Sequence, residues 1–112
     1  MEQMLIMDKN KKYQLGMYEK SMPSSLTWLE KLECLKECGF DYLEISVDES
    51  DDKQARLNWN AEQKQELKDA MIKTGVRVNS ICLSGHRKYP FGSTNLKTQE
   101  KSLEIMEKAI NF

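Results

Sequence analysis

The sequence is organised around the stretch Gly39-Phe40-Asp41-Tyr42-Leu43-Glu44-Ile45-Ser46-Val47-Asp48. It begins with a glycine at the end of a helical pattern and continues as an alternation of apolar and polar residues, which predicts a β-strand. One face of this strand carries Leu43, Ile45 and Val47, and the other carries Tyr42, Glu44, Ser46 and Asp48. A lone surface strand would show the same alternation, but amphipathic helical patterns on both sides lead to further short strands. This context favours parallel βα units.

Composition and charge exclude several classes of function. The chain has 112 residues, which allows one domain at most, with 39% hydrophobic and 31% charged residues, as in soluble globular proteins. The formal net charge is −1 and no basic stripe with interleaved aromatic residues occurs, so we expect no nucleic-acid partner. The apolar run at residues 4–7 is too short for a signal peptide or a membrane span, which predicts a cytoplasmic location without a membrane partner. Three cysteines, an odd number, argue against a secreted disulfide framework.

Before the central strand, the sequence predicts a leader, a strand and a helix. Residues 1–12 have no clear period and are interpreted as an N-terminal leader. Residues 13–18 form the first predicted strand. Thr27 and Glu30 have the spacing of a capping box, which predicts the start of a helix, and Gly39 is placed to end it. The apolar stripe of this helix consists of Trp28, Leu29, Leu32 and Leu35.

After the central strand, two more helices and one strand are predicted. Residues 48–59 form a long acidic connection, interpreted either as a functional loop or as a solvated loop held by two apolar residues. A helix follows from Asn60 to about Thr74, and Gly75 ends it. Residues 76–83 form the third strand and lead into a polar loop at residues 84–92. The last helix begins near residues 93–95, and its predicted core face is Leu96, Leu103, Met106, Ala109 and Ile110.

The predicted order is therefore βαβαβα, an α/β fold with parallel strands. Three such units could form a small open sheet, or they could be the first three units of a (β/α)₈ barrel, which requires roughly 250 residues. We favour the barrel and expect residues 13–112 to be the N-terminal part of an incomplete domain. In a barrel, Glu44 and Ser46 point inward near the carboxyl end of their strand, where barrel enzymes place their chemistry.

Four segments together carry a resemblance to a known family. They are Leu15-Gly16-Met17-Tyr18-Glu19-Lys20, the stretch from Gly39 to Glu49, Thr74-Gly75-Val76-Arg77-Val78, and Cys82-Leu83-Ser84-Gly85-His86-Arg87-Lys88-Tyr89-Pro90-Phe91-Gly92-Ser93. From residue 13 to residue 112 the chain resembles the opening of the L-ribulose-5-phosphate 3-epimerases, within the xylose-isomerase-like barrel superfamily. The central segment is shared widely in that superfamily, whereas the first and last segments point more narrowly to the epimerases.

The resemblance implies a metal-dependent barrel of pentose-phosphate metabolism, linked to L-ascorbate degradation, that inverts C3 of L-ribulose 5-phosphate to give L-xylulose 5-phosphate. This chemistry needs a base to remove the C3 proton, a divalent cation on the C2 oxygen, and an acid on the opposite face. In the family these carboxylates and the metal ligands come from later strands. We therefore expect no catalytic residue in this chain, no metal held by it alone, and no epimerase activity of the chain by itself.

Six residues are predicted to contact the sugar phosphate, with structural alternatives for several. The six are Tyr18, Glu19, Glu44, Ser46, His86 and Arg87. His86 could instead be a packing histidine, Arg87 a solvated charge, and Glu44 a structural carboxylate paired with Arg77 or Lys20. Cys34 and Cys38 share a helix face but are too few to form a zinc site, so they are interpreted as ordinary helix residues.

A different class of function is also compatible with the sequence. The chain could be a non-catalytic half-barrel that acts as a binding or assembly module. An unclosed sheet has open edges, and this predicts self-association through them.

Overall fold

The computed structural model describes residues 12–112. The predicted leader, residues 1–12, therefore lies outside the described residues except for Lys12. Strands and helices alternate along the described part in the order β1 (Gly16–Tyr18), α1 (Trp28–Glu37), β2 (Tyr42–Ser46), α2 (Asp51–Gln54), α3 (Ala61–Thr74), β3 (Arg77–Cys82) and α4 (Leu96–Asn111). The described residues also contain three short 3₁₀ turns, which are Glu19–Ser21, Ala55–Asn58 and Ser84–Arg87.

The three strands form one sheet in the order β1-β2-β3. β1 and β2 are parallel, with Gly16 opposite Tyr42 and Tyr18 opposite Glu44. The predicted α/β architecture of three parallel strands alternating with helices is thereby confirmed. The first strand is shorter than predicted, because only three of residues 13–18 pair with the sheet.

The local signals in the sequence place the helix ends correctly. Thr27 Oγ1 accepts a hydrogen bond from the Glu30 N–H (3.1 Å), and the Glu30 carboxylate accepts one from the Thr27 N–H (3.0 Å). This capping box satisfies two donors at the start of α1, and these hydrogen bonds lower the pKa of Glu30. At the other end Gly39 has a φ of 84°, and the Phe40 N–H donates to the Leu35 carbonyl (2.9 Å). This is the Schellman arrangement that the glycine predicts.

Contacts divide the chain into two compact units. The first contains the described residues up to Ile45 together with Glu62–Ser80, and the second contains Ser46–Ala61 and Ile81–Phe112. The core of the first unit is formed by Leu32, Leu35, Leu43, Ile45, Leu67, Ala70 and Val76. In the second unit Val47, Leu57 and Ile105 are buried together, and Ile81, Leu83, Tyr89 and Ala109 pack against them.

Two predictions about the second unit are wrong in detail. The connection after β2 is not an irregular loop, because Ser50 Oγ accepts from the Lys53 N–H and caps α2, which continues directly into the turn Ala55–Asn58. The core face of α4 is only partly as predicted: Ala109 packs against the core and Met106 is half-buried, but the other three residues do not face the core. Leu96, Leu103 and Ile110 are 72%, 57% and 75% exposed, whereas Ser102 and Ile105 are buried. The helix therefore packs through a face rotated away from the predicted stripe.

The cysteines agree with the simpler interpretation. Cys34 and Cys38 are free and exposed on α1, and Cys82 is free and half-buried. Partial desolvation of the thiol by its surroundings and the neighbouring Cys38 raise the pKa of Cys34. Within residues 12–112, no helix has the length and apolar character needed to cross a membrane.

We expect replacement of Gly75 by alanine to destabilise the chain through backbone strain alone. Gly75 has a φ of 78° and an added Cβ would meet nothing within 4 Å, so sterics with neighbours play no part. A left-handed alanine costs about 1–2 kcal/mol, part of which is offset by the lower entropy of the unfolded chain. Urea unfolding should show Gly75→Ala about 1 kcal/mol less stable than the parent. Gly92→Ala is the matched control, because Gly92 has equally open space without a positive φ. Equal effects of the two substitutions would contradict the prediction.

Candidate functional site

The predicted site residues lie on the strands or just after them, and the first pair lies at the end of β1. Tyr18 is the last residue of β1, and its carbonyl accepts a hydrogen bond from Ser21 Oγ (2.8 Å). Glu19 begins the 3₁₀ turn and is only 1% exposed. Its Oε2 lies 2.7 Å from Lys31 Nζ, and the Lys31 side chain is 5% exposed. The structure thus gives Glu19 a buried counter-charge on α1.

Lys31 was not selected from the sequence, although a signal for it exists. It lies between Trp28 and Leu35 on the apolar stripe of α1, where a lysine needs a partner if it is buried. Besides Glu19, its ammonium group lies 4.5 Å from the centre of the Trp28 ring, a cation–π contact. The pair therefore joins the segment after β1 to the helix that follows it.

Glu44 lies on the polar face of β2 and is half-buried. Its Oε2 accepts a hydrogen bond of 2.8 Å from the hydroxyl of Ser80 on β3. The sequence suggested Arg77 or Lys20 as a structural partner, but the partner that the structure gives is this neutral hydroxyl. A carboxylate can accept several hydrogen bonds, so Glu44 keeps acceptor capacity beyond Ser80.

In the second unit, the segment after β2 is fixed by a chain of hydrogen bonds. The Ser46 side chain is fully buried, and its carbonyl accepts from Arg56 Nη1 (2.8 Å). The Val47 N–H donates to the Cys82 carbonyl, and the Val47 carbonyl accepts from the Gly85 N–H, both at 3.0 Å. These bonds hold the polar turn after β3 against the end of β2.

Asp48 is a buried carboxylate that was not selected as a site residue. It is 9% exposed, and its Oδ1 accepts from the N–H and the hydroxyl of Ser50, at 2.8 and 2.6 Å. Such a bond from a side chain to the backbone two residues ahead forms an Asx turn. The sequence signal that could have identified Asp48 is its position two residues after the strand, in an acidic segment. The contact fixes the start of α2 and explains why the acidic connection is helical.

His86 lies in the turn Ser84–Arg87 and is half-buried against α4. Its Nε2 is 3.0 Å from the carbonyl oxygen of Ser102, and its ring centre is 4.5 Å from that of Phe91. Because a carbonyl oxygen can only accept, this bond places a proton on Nε2, and the neutral ring then offers Nδ1 as an acceptor. The side chain of the next residue, Arg87, is exposed. The packing role weighed for His86 is therefore present, and a substrate role stays a prediction.

Three buried polar atoms near this turn have no hydrogen-bond partner among the described residues. They are Ser84 Oγ, Ser102 Oγ and Gln54 Nε2. The Gln54 amide and the Asp48 carbonyl both lie close to Gly85. Since buried polar groups in proteins are nearly always paired with protein or water, the second unit has hydrogen-bonding capacity left beside the turn that carries His86 and Arg87.

The described residues do not fit a divalent metal ion. Within residues 12–112, no group of three or more histidine, cysteine, aspartate or glutamate side chains is arranged to hold one. The carboxylates nearest the strand ends, Glu19, Glu44 and Asp48, are bonded to Lys31, Ser80 and Ser50 respectively.

Comparisons with known proteins agree with this architecture. Residues 32–112 match the family described as xylose isomerase-like TIM barrel. The chain is 48% identical over 102 residues to a putative L-ribulose-5-phosphate 3-epimerase of Haemophilus influenzae, covering 91% of this chain and 36% of that protein. It is 50% identical over 103 residues to the L-ribulose-5-phosphate 3-epimerases of Escherichia coli K12 and Escherichia fergusonii, covering 92% of this chain and 36% of each. The chain therefore spans about a third of the length of these curated relatives.

We expect removal of the Lys31 charge to destabilise the first unit strongly. Lys31→Ala would leave the Glu19 carboxylate buried without this counter-charge, and breaking a buried pair in this way costs about 3–5 kcal/mol. Urea unfolding should show a large loss for Lys31→Ala and little change for Lys36→Ala, an exposed lysine on the same helix. The double variant Glu19→Gln/Lys31→Met should recover much of the loss, because no charge stays buried. A loss below about 1 kcal/mol for Lys31→Ala would show that the pair is not buried as described.

Proposed function

The chain belongs to the xylose isomerase-like TIM barrel family, and from this premise we propose that it forms the first three βα units of an L-ribulose-5-phosphate 3-epimerase. The observation that carries the proposal is the alignment of nine-tenths of the chain, at about half identity, with proteins named for this activity. The order of strands and helices supports it, because each strand end supplies polar residues at the edge where such barrels bind substrate.

Epimerisation at C3 of a pentulose 5-phosphate removes one proton and returns another to the opposite face. The carbanion formed is stabilised as an enediolate by the neighbouring C2 carbonyl. Two proton-transfer groups on opposite sides of the substrate are therefore required. Because Glu19, Glu44 and Asp48, the carboxylates nearest the strand ends, are held by Lys31, Ser80 and Ser50, we assign none of these three to proton transfer. No step is assigned to a metal ion here either, since these residues offer no set of ligands for one.

We propose instead that the described residues bind and orient the substrate. Arg87 is the best candidate for the phosphate, because a guanidinium on an exposed turn offers paired donors to phosphate oxygens. His86, whose Nε2 is used by the Ser102 carbonyl, would offer Nδ1 to a sugar hydroxyl. Glu44 would accept a hydroxyl bond with the capacity left beside Ser80. Tyr18, Glu19 and Ser46 stay in the proposal because they lie at strand ends. Glu19 would help to shape the substrate site, since its charge is already paired with Lys31.

A chimera tests the function of the chain directly. We expect an Escherichia coli epimerase whose matching third is replaced by this chain to convert L-ribulose 5-phosphate to L-xylulose 5-phosphate in a coupled assay. The same assay with the 112-residue chain alone and added divalent cations should show no turnover, because we assign no proton-transfer group to the described residues. A soluble, folded chimera without epimerase activity would contradict the proposal. Turnover by the chain alone would contradict our assignment of proton transfer to groups outside the described residues.

The role of Arg87 has its own test in the same chimera. Loss of a charge-assisted hydrogen bond to phosphate costs about 1.5–3 kcal/mol, so Arg87→Ala should raise KM for L-ribulose 5-phosphate by about tenfold to a hundredfold with kcat little changed. Lys97→Ala, which removes an exposed charge from α4, is the matched control and should leave KM unchanged. An unchanged KM in Arg87→Ala would remove Arg87 from the site.

A further inference from the structure

Gly85, in the turn that carries His86 and Arg87, lies where there is no room for a side chain. A methyl group on Gly85 would lie 3.2 Å from the Asp48 carbonyl oxygen and 3.2 Å from Gln54 Nε2. Both separations are shorter than the roughly 3.5–4.0 Å of an unstrained carbon contact. Gly85 does not have a positive φ, so it is space, and not backbone conformation, that requires a glycine here.

The backbone of Gly85 is also fixed by hydrogen bonds on both sides. Its N–H donates to the Val47 carbonyl (3.0 Å), and its own carbonyl accepts from the Lys88 N–H (3.1 Å). The first bond ties the turn to the residue that follows β2, and the second closes the turn itself. Because Val47 has no exposed surface, the point to which the turn is tied belongs to the core of the second unit.

Ser50 connects the groups that surround Gly85. Its N–H and hydroxyl donate to Asp48 Oδ1, at 2.8 and 2.6 Å, and its carbonyl accepts from the Gln54 N–H (3.0 Å). We call the carbonyls of Val47 and Asp48 and the Gln54 amide the Gly85 seat. Asp48 is 9% exposed and Gln54 Nε2 is buried, so close packing leaves the seat little freedom to yield. An added methyl group would therefore displace the turn, by a few tenths of an ångström.

A displaced turn would move both groups proposed to bind the substrate from it. His86 is the residue after Gly85, and its Nε2 lies 3.0 Å from the Ser102 carbonyl oxygen, an ordinary length for such a bond. Arg87 is the last residue of the turn. Misplacing a binding group by about 1 Å can cost about a hundredfold in rate, so a shift of a few tenths of an ångström has a measurable effect.

From these contacts we propose that Gly85 is a positioning residue of the substrate site. The Gly85 seat sets where Arg87 presents its guanidinium to the phosphate and where His86 presents Nδ1 to a sugar hydroxyl. This inference rests on the substrate roles proposed for those two residues. It also gives α2 a part in the site, because α2 supplies Gln54 and so supports the turn that follows β3.

The first test is kinetic and uses the chimera described above. Gly85→Ala should raise KM for L-ribulose 5-phosphate at least about fivefold with kcat little changed, because binding groups move while proton transfer is done by other residues. Gly92→Ala replaces another glycine after β3, one with open space around it, and should leave KM unchanged. An active chimera whose KM is insensitive to Gly85→Ala would contradict this inference. An inactive chimera would contradict the proposed function instead.

A second substitution tests whether the cause of the effect is space. Removing the Gln54 side chain opens one wall of the Gly85 seat, and Gln54 Nε2 has no hydrogen-bond partner among the described residues that would be lost with it. In a Gln54→Ala background, Gly85→Ala should therefore raise KM by less than about twofold. A double variant that binds or folds as poorly as Gly85→Ala alone would contradict the seat.

The position of the turn can be measured without any activity in the 112-residue chain. His86 is the single histidine of the sequence, so its ring nitrogens give one set of nuclear magnetic resonance signals. Gly85→Ala should shift the Nε2 signal, because the bond to the Ser102 carbonyl changes length, and adding Gln54→Ala should return the signal toward its parent value. An unchanged Nε2 signal would show that the turn does not move and would contradict the inference. A shifted signal with an unchanged KM in the chimera would contradict it as well, because the turn would move without affecting the substrate.

Discussion

The structure depends on the complete burial of one face of β2. Leu43 and Ile45 on β2, and Val47 immediately after it, have no exposed surface, so this stretch needs cover along its whole length. Leu43 and Ile45 contribute to the core of the first unit, and Val47 contributes to the core of the second. Full burial of side chains of this size stabilises a protein by about 1.5–3 kcal/mol each, more than any single surface contact described above. The helices that precede and follow the strand in the sequence supply this cover.

Much of the fold could be predicted because local signals and the hydrophobic pattern agree. The box of Thr27 and Glu30, the left-handed Gly39 and Gly75, and the Asn95 cap whose Oδ1 accepts from the Thr98 N–H (3.1 Å) all act within one helical turn. Effects of this kind depend only on residues close together in the chain, so the sequence alone predicts them. The face of α4 was only partly predicted because that helix carries two apolar rows. Periodicity shows that both exist, but it does not show which of them meets the core.

The polar residues were harder to predict because their partners are distant in sequence. Lys31 follows Glu19 by 12 residues and Ser80 follows Glu44 by 36, so no local pattern connects either pair. Glu19 and Glu44 were selected as polar residues on or just after predicted strands, since alternation and strand direction determine that position. Their bonds to neighbouring elements required the packed structure. Asp48 was missed for the opposite reason: its partner is only two residues away, in a segment whose charge suggested a solvated loop.

The arrangement of these bonds bears on what such a chain can contribute to catalysis. Proton transfer needs carboxylates that are free to exchange a proton with the substrate, whereas Glu19, Glu44 and Asp48 are each held by a donor. A carboxylate held in this way has less freedom to move, which suits it to orient a hydroxyl or to fix a loop. Arg87, by contrast, is exposed on a turn that is tied down on both sides, by Gly85 to Val47 just after β2 and by His86 to α4. An exposed guanidinium on such a turn is consistent with the phosphate role proposed for Arg87. These contacts support the proposal that the described residues bind and orient the substrate and that groups outside them transfer the proton.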